Sequence, residues 1–383
     1  MRSSSILLKS NKSLKTSDSV VSVVQERVSH PDGRAGHMVV ACLGGSGTVL
    51  EERPTPMPGA GEILLRLRVV GLCGTDLFKL DSGSAVAGTV LGHELVGEVI
   101  ALGCGVTGFA EGDRVVVAHH VPCGECQLCR CGNETMCEIF RENLLEPGAF
   151  ADTILVKSRA TEFSARRIPD HVSDETAVFM ESAACVLRSI HRAGIDNNGT
   201  ALIFGAGSMG LLHLLVLQAA LPGCCVIIVD PVLERRTLAK KLGAKSMTTP
   251  GQEALKTVRA TTDGLGADAV FDTVGGNETL EAGLELTRQG GTMVLFAHAP
   301  DEARAGFNLN DLFKYERRIV GTYSAAVKEQ GQIFELIDKG DLNPSPLVTH
   351  KMPLNDFQHG VSLVRARQAL KVLFTPSRLG SEA

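Results

Sequence analysis

At 383 residues the chain exceeds one ordinary domain and suits two, and a hydrophobic share of 44% provides for a sizeable core. A formal net charge of −5 argues against nucleic acid as a partner. No stretch reads as a membrane span: the best candidate, residues 211–229, is split by Pro222-Gly223 and contains His213 and Gln218, so a buried helix followed by a buried strand is predicted there.

Residues 1–37 differ from the rest. Arg2, Lys9, Lys12 and Lys15 stand among serines with no acid before Asp18. A disordered tail is expected, with a transit peptide as the other reading. No secretory signal is read there, so the expected location is the cytoplasm, organellar targeting being the alternative. From Met38 onward short strands are predicted at 39–41, 63–70, 96–101 and 114–118. They are set off by glycines and by a break at 53–59 that holds Pro54, Pro56 and Pro58. This half reads as a compact, mostly β domain. After about residue 185 the pattern changes. Apolar strands at 201–204, 226–230, 269–272 and 293–296 alternate with helices reaching to about 221 and spanning 233–242. Strands alternating with helices of that length predict an α/β fold with a parallel, doubly wound sheet. From about Tyr323 the elements are mixed again and are expected to pack back on the first domain.

The chain has 11 cysteines, an odd number, and without a secretory signal metal is favoured over disulfides. Cys123, Cys126, Cys129 and Cys137 fall close enough in sequence to converge on one ion. Four thiolates make a closed tetrahedral Zn²⁺ shell, which is structural because no position stays open. Four unrelated thiols, or a redox pair, are the alternatives. Cys131 lies out of step and is expected to be unligated. A second set joins Cys73, in Gly71-Leu72-Cys73-Gly74-Thr75-Asp76, to His93 and Glu94. Taken singly, these are an ordinary buried cysteine and a core histidine. Together they offer a thiolate, an imidazole and a carboxylate, and three protein ligands leave a coordination place for water or substrate.

Gly205-Ala206-Gly207-Ser208-Met209-Gly210 is a glycine-rich turn between a strand and a helix, and Asp230 ends the next strand. Such a turn lets backbone approach a pyrophosphate at a helix N-terminus, and the acid binds ribose hydroxyls and repels a 2′-phosphate. NAD is therefore expected rather than NADP. Arg235 and Arg236 are the counter-indication, unless they form a solvated helix face.

In this order, the Gly-Leu-Cys-Gly-Thr-Asp and Gly-His-Glu motifs, the cysteine loop and the glycine turn resemble the zinc-containing medium-chain alcohol dehydrogenases, nearest the sorbitol and threonine dehydrogenase branch. The resemblance covers nearly everything from Met38 onward. It implies a GroES-like catalytic domain over 38–185 and 325–383 and a Rossmann domain over 186–324. It also implies two zinc ions per chain and hydride transfer between a secondary alcohol and NAD. The catalytic zinc would be held by Cys73, His93 and Glu94, with Glu181 exchanging as ligand or holding the zinc water. Ser182 stands where the branch often has proline. Thr75 would pass on the hydroxyl proton. Many members have a histidine at the place of Phe78, so here the proton would leave through the ribose hydroxyl to water, or through His119 or His120. Gly205, Gly207, Ser208, Met209, Gly210, Asp230 and Arg235 would meet the dinucleotide, and Val274 and Phe296 would flank the nicotinamide. The branch implies a polyol, a cyclitol, an amino-substituted alcohol or a β-hydroxy amino acid as substrate, and a homodimer or homotetramer. Arg141, Glu142 and Asn143 follow the cysteine loop and would either meet that substrate or stay solvated. A zinc-independent quinone or alkene reductase is disfavoured by the three open-site ligands. A zinc-stabilised binding protein without turnover is the reading from another class.

Overall fold

The computed structural model describes residues 36–44, 47–82, 85–299 and 302–377. The expectations for residues 1–35 lie outside them. The strands are β1 His37–Gly44, β2 Gly47–Pro54, β3 Ile63–Gly71, β4 Glu94–Leu102, β5 Arg114–Ala118, β6 Leu145–Glu146, β7 Thr153–Val156 and β8 Arg166–Arg167. They continue with β9 Thr200–Phe204, β10 Cys225–Val229, β11 Ser246–Thr248, β12 Ala267–Asp272, β13 Thr287–Leu295, β14 Arg318–Gly321, β15 Val348–Pro353 and β16 Lys371–Thr375.

In the first half, β3 is apolar on both faces except at Arg66 and Arg68, whose guanidinium groups are neutralised by Glu98 and Asp174. Such a strand belongs in the middle of a sheet. It pairs antiparallel with β4 along its whole length, with β7 at its start and with β16 at its end. β5 and β8 extend the sheet beyond β4, and β15 lies outside β16. The last two strands of the chain thus complete the sheet begun by the first half. The hairpin β1–β2 stands beside it. Sequence patterning misses β2, because Val49 and Leu50 are exposed and its remaining residues are mostly polar.

The second half holds six parallel strands in the order β11-β10-β9-β12-β13-β14. β9 and β10 are runs of five residues, nearly all buried, as a sheet covered on both faces requires. The chain leaves β9 in one direction to build β10 and β11, and returns on the other side to build β12, β13 and β14. A crevice therefore opens at the carboxyl ends of β9 and β12, where ligands bind in sheets of this class. The predicted buried helix followed by a strand is Ser208–Ala220 and then β10. Among the described residues, no helix is long and apolar enough to cross a membrane.

The helix Met180–Ala193 sits between the two sheets. Eleven of its 14 residues are buried, and its aliphatic side chains share one core with Val96 and Val116 of the first sheet and Ile203 and Val294 of the second. Val186, Leu187 and Ile190 each contribute about 1.5–3 kcal/mol by leaving water. The helix ends at Gly194, whose φ of 65° is the left-handed conformation that glycine adopts without strain.

Candidate active site

The register of two neighbouring strands assembles the first cluster. Gly71, the last residue of β3, is paired with Glu94, the first of β4. Cys73 follows one strand and His93 precedes the other, so residues twenty positions apart arrive at one sheet end. The sulfur of Cys73, a ring nitrogen of His93 and a carboxylate oxygen of Glu94 all lie within 4.8 Å of one another. Gly71 is required for this approach, since a Cβ there would stand 2.3 Å from Glu94 Oε2.

Asp76 fixes the arrangement from behind. Its buried carboxylate accepts hydrogen bonds from the backbone N–H groups of Cys73 (3.1 Å) and Gly92 (3.2 Å) and lies 3.4 Å from His93 Nδ1. That leaves Nε2 of His93 for another partner, which is how a carboxylate orients a metal-binding imidazole. Burial opposes a charge on His93, but Asp76 and Cys73 outweigh it and hold the imidazole pKa well above its ordinary value. Glu94 is fully buried; its Oε2 pairs with Lys371 Nζ, while Oε1 has no hydrogen-bond partner. An unpartnered buried carboxylate oxygen beside a thiol and an imidazole is the donor set that a zinc ion fits. Sequence reasoning missed Lys371. Its only local signal is a lone lysine heading the apolar run of β16, and a buried lysine needs an anionic partner.

Glu181 lies at the start of the helix Met180–Ala193 and lines the same cleft, outside the 4.8 Å cluster. Its Oε1 accepts from Cys185 Sγ at 3.6 Å. Burial raises its pKa, with His93 and Lys371 opposing and Glu94 adding to the rise. Thr75, His119 and His120 line the cleft too. His119 lies between His93 and His120 with its ring tilted to both, at ring-centroid distances of 4.7 and 3.5 Å. Phe78 stacks nearly flat (11°) on His298, a residue that follows β13, so the two halves meet face to face across the cleft.

The sulfur atoms of Cys123, Cys126, Cys129 and Cys137 also lie within 4.8 Å of one another. The loop bends round them: Cys126 N–H donates to Cys123 Sγ, and Cys123 N–H to Cys137 Sγ. Backbone N–H groups of Glu125 and Cys126 lower the Cys123 thiol to about 6, so it is a thiolate at neutral pH. Cys131 is exposed and outside the cluster. These four sulfurs could hold a second ion with no position left over.

The glycine turn follows β9. Gly205 has φ +93°, and a Cβ on Gly210 would stand 1.9 Å from the Gly205 carbonyl oxygen, so both must be glycine for the turn to close. Gly207 is different: nothing lies within 4 Å of its missing Cβ. Its smallness serves no contact within the chain and leaves room for a ligand at the N-terminus of the helix Ser208–Ala220, which no side chain caps. Asp230 is buried and already accepts from Ala206 N–H (2.7 Å) and Val232 N–H (2.8 Å), which ties the turn to the end of β10. Arg235 stands 4.0 Å from its carboxylate, and Arg236 donates to its backbone oxygen. Met209, Val274 and Phe296 line the cleft that contains Cys73 and His93, a space of about 430 Å³. Arg141 rests on Tyr323 at the cleft wall, whereas Glu142 pairs with Arg159 and Asn143 is taken up by its own turn.

Known proteins match this architecture. The alcohol dehydrogenase GroES-like domain family matches residues 59–164, and the zinc-binding dehydrogenase family matches residues 209–339. The L-threonine 3-dehydrogenase of Pyrococcus horikoshii is 32% identical over 86% of the chain and 95% of its own length. The sorbitol dehydrogenase of Halalkalibacterium halodurans is 29% identical over 85% and 95%. The solved alcohol dehydrogenase of Thermus sp. ATN1 superposes with a TM-score of 0.79 at 28% identity, over 88% of this chain and all of that one.

Proposed function

Because the chain belongs to the zinc-containing medium-chain alcohol dehydrogenase family, an oxidoreductase family acting on small molecules, we propose that it oxidises a secondary alcohol with NAD and holds two zinc ions. The observation that carries this reading is a single cleft lined both by residues of the Cys73–His93–Glu94 cluster and by the ends of the parallel strands. A dehydrogenase needs the carbinol carbon and its hydride acceptor in one dry space.

Cys73, His93 and Glu94 hold one zinc, with Glu181 as the alternate carboxylate. Cys123, Cys126, Cys129 and Cys137 hold the other. When bound, the first zinc supplies Lewis acidity that lowers the pKa of an alcohol hydroxyl, and the dinucleotide supplies the hydride acceptor. The protein does the rest. Asp76 holds His93 in orientation, and Lys371 pairs with Glu94 where both are buried. Thr75, two residues beyond Cys73, takes the hydroxyl proton. Phe78 carries no proton, so the path from Thr75 ends at the solvent-facing mouth of the cleft and not at a histidine on its own helix. Gly207 leaves room for the pyrophosphate, and Asp230 faces the adenosine ribose, which favours NAD over NADP.

The deciding experiment measures zinc per chain together with NADH formation from a panel of secondary alcohols. Two zinc ions and turnover are expected. One zinc and no turnover would instead favour a binding protein stabilised by its cysteine loop.

A further inference from the structure

Two contacts run from the cysteine loop to the wall of the cleft. Arg141, just beyond Cys137, places its guanidinium carbon 5.4 Å from the ring centre of Tyr323, which lines the cleft with Thr322 and Ser324. The other contact passes through Arg188 on the helix Met180–Ala193. Its buried side chain donates to the Gly132 carbonyl oxygen (3.3 Å) and to Glu134 Oε2 (3.4 Å), both between Cys129 and Cys137. The same Nη1 that meets Glu134 lies 3.6 Å from Oε2 of the buried Glu329, and this oxygen accepts from the Ala326 N–H at 3.0 Å. Ala326 caps the helix Val327–Asp338 and stands just beyond Ser324. Ser324 has φ 54°, a strained conformation for serine that lasts only where the surroundings enforce it. The buried Ala325 and Ala326 and the bond from Ala326 to Glu329 supply that enforcement. A buried guanidinium has no water to replace lost acceptors, so Arg188 holds the loop and the start of that helix together.

Resting on the dehydrogenase reading above, we infer that Arg188 is a positioning residue for the alcohol: it makes the cleft wall at Thr322–Ser324 depend on the fold of the cysteine loop. The ion in that loop then tunes substrate binding as well as stability. When the loop loses its ion, Gly132 and Glu134 release Arg188, Glu329 loosens and Tyr323 leaves the wall. The open cluster keeps its own ligands throughout.

The chain has two tyrosines and no tryptophan, so in a Tyr315→Phe background the fluorescence comes from Tyr323 alone. With the zinc-loaded full chain, acrylamide quenching of Tyr323 should rise about twofold in Arg188→Met, Glu134→Gln and Cys126→Ser. Cys73→Ser, which empties the open cluster and spares the loop, should be quenched like the parent. Glu134→Gln leaves Arg188 paired with Glu329, so it decides the matter where Arg188→Met fails to fold. The loosened variants should also raise KM for whichever of sorbitol, myo-inositol and L-threonine is oxidised about fivefold, and leave KM for NAD within about twofold. A merely structural role would lower the folded fraction, and with it kcat, without moving either KM or the quenching. Unchanged quenching in folded Glu134→Gln and Cys126→Ser overturns the inference. So does equal loosening in Cys73→Ser, which would place the effect in the open cluster, and so does a loosened Tyr323 with an unmoved KM for the alcohol. If no secondary alcohol yields NADH, the dehydrogenase reading itself fails, and the quenching series alone decides whether loop and wall are coupled.

Discussion

Lys371 of β16 and Glu94 of β4 form a fully buried ion pair across the end of the intervening strand β3, and the second oxygen of that carboxylate has no hydrogen bond. Burial acts against the charge on Lys371, and Glu94 first, then Cys73 and Glu181, raise its pKa nonetheless. Removing one member should strand the other charge in the protein interior. In the zinc-free protein, where no ion can take over as partner of Glu94, Lys371→Met is expected to lower the free energy of unfolding by about 3–5 kcal/mol in denaturant titrations. Adding Glu94→Gln to it should recover much of that loss, because no charge is then left unpaired. A double variant as unstable as the single one would show that packing, and not charge, sets the cost.

The two thiol clusters should respond oppositely to the same substitution. Cys73→Ser removes a ligand from the open cluster, where the sheet end is already fixed by Gly71 and Asp76. Its thermal transition should hardly move, while kcat falls by on the order of a thousandfold and zinc per chain drops by one. Normal turnover in this variant would end the assignment of the open cluster as catalytic.

Cys126→Ser acts on a loop whose short helical turns, Gln127–Arg130 and Glu134–Met136, have little apolar packing of their own. There the ion contributes folding energy directly, so the melting temperature should fall by on the order of 10 °C even with the active site intact. Chelator treatment of the unsubstituted protein should reproduce that loss. In the stripped protein Cys123, a thiolate at neutral pH, should be among the first cysteines alkylated, with a rate that rises through a pH of about 6.

Much of this site was legible because its chemistry is local in sequence. Cys73, His93 and Glu94 lie in two short motifs, and the cysteine loop and glycine turn each fit within fifteen residues. The fold class followed from the alternation of strands and helices. What escaped depends on tertiary pairing. Lys371 is 277 positions from Glu94, and nothing local states that β16 will dock beside β3. His298 meets Phe78 only because the two halves face each other. Asp76 was visible in its motif, but its hold on His93 needs the turn at Gly92 to bring it near.

Asp230 does two jobs, and its substitution should separate them. Its carboxylate ties down the glycine turn through Ala206 and Val232, and on the proposed reading it also meets the ribose. Asp230→Ala should therefore lower kcat/KM with NAD and at the same time raise the NADP-to-NAD ratio on the order of tenfold, about 1.4 kcal/mol. Arg235, at 4.0 Å from the carboxylate, is then free to pair with a 2′-phosphate. An unchanged ratio would assign Asp230 to the turn alone.

His213 gives the molecule a pH-dependent stability distinct from its chemistry. It is wholly buried in the helix Ser208–Ala220, bonded to Ser189 Oγ and the Met209 carbonyl and packed on Phe271 and Phe296. Burial lowers its pKa from 6.5 to about 4, with the Met209 carbonyl opposing. As the pH falls below 6.5 the unfolded chain takes up this proton first, so stability present above 6.5 is lost progressively down to about 4 and no further below. The full difference is about 3 kcal/mol. His213→Gln keeps a donor and an acceptor without titrating, so its unfolding free energy should fall less steeply than the parent's across that interval. Parallel slopes for the two proteins would mean that His213 titrates alike in the folded and unfolded chains.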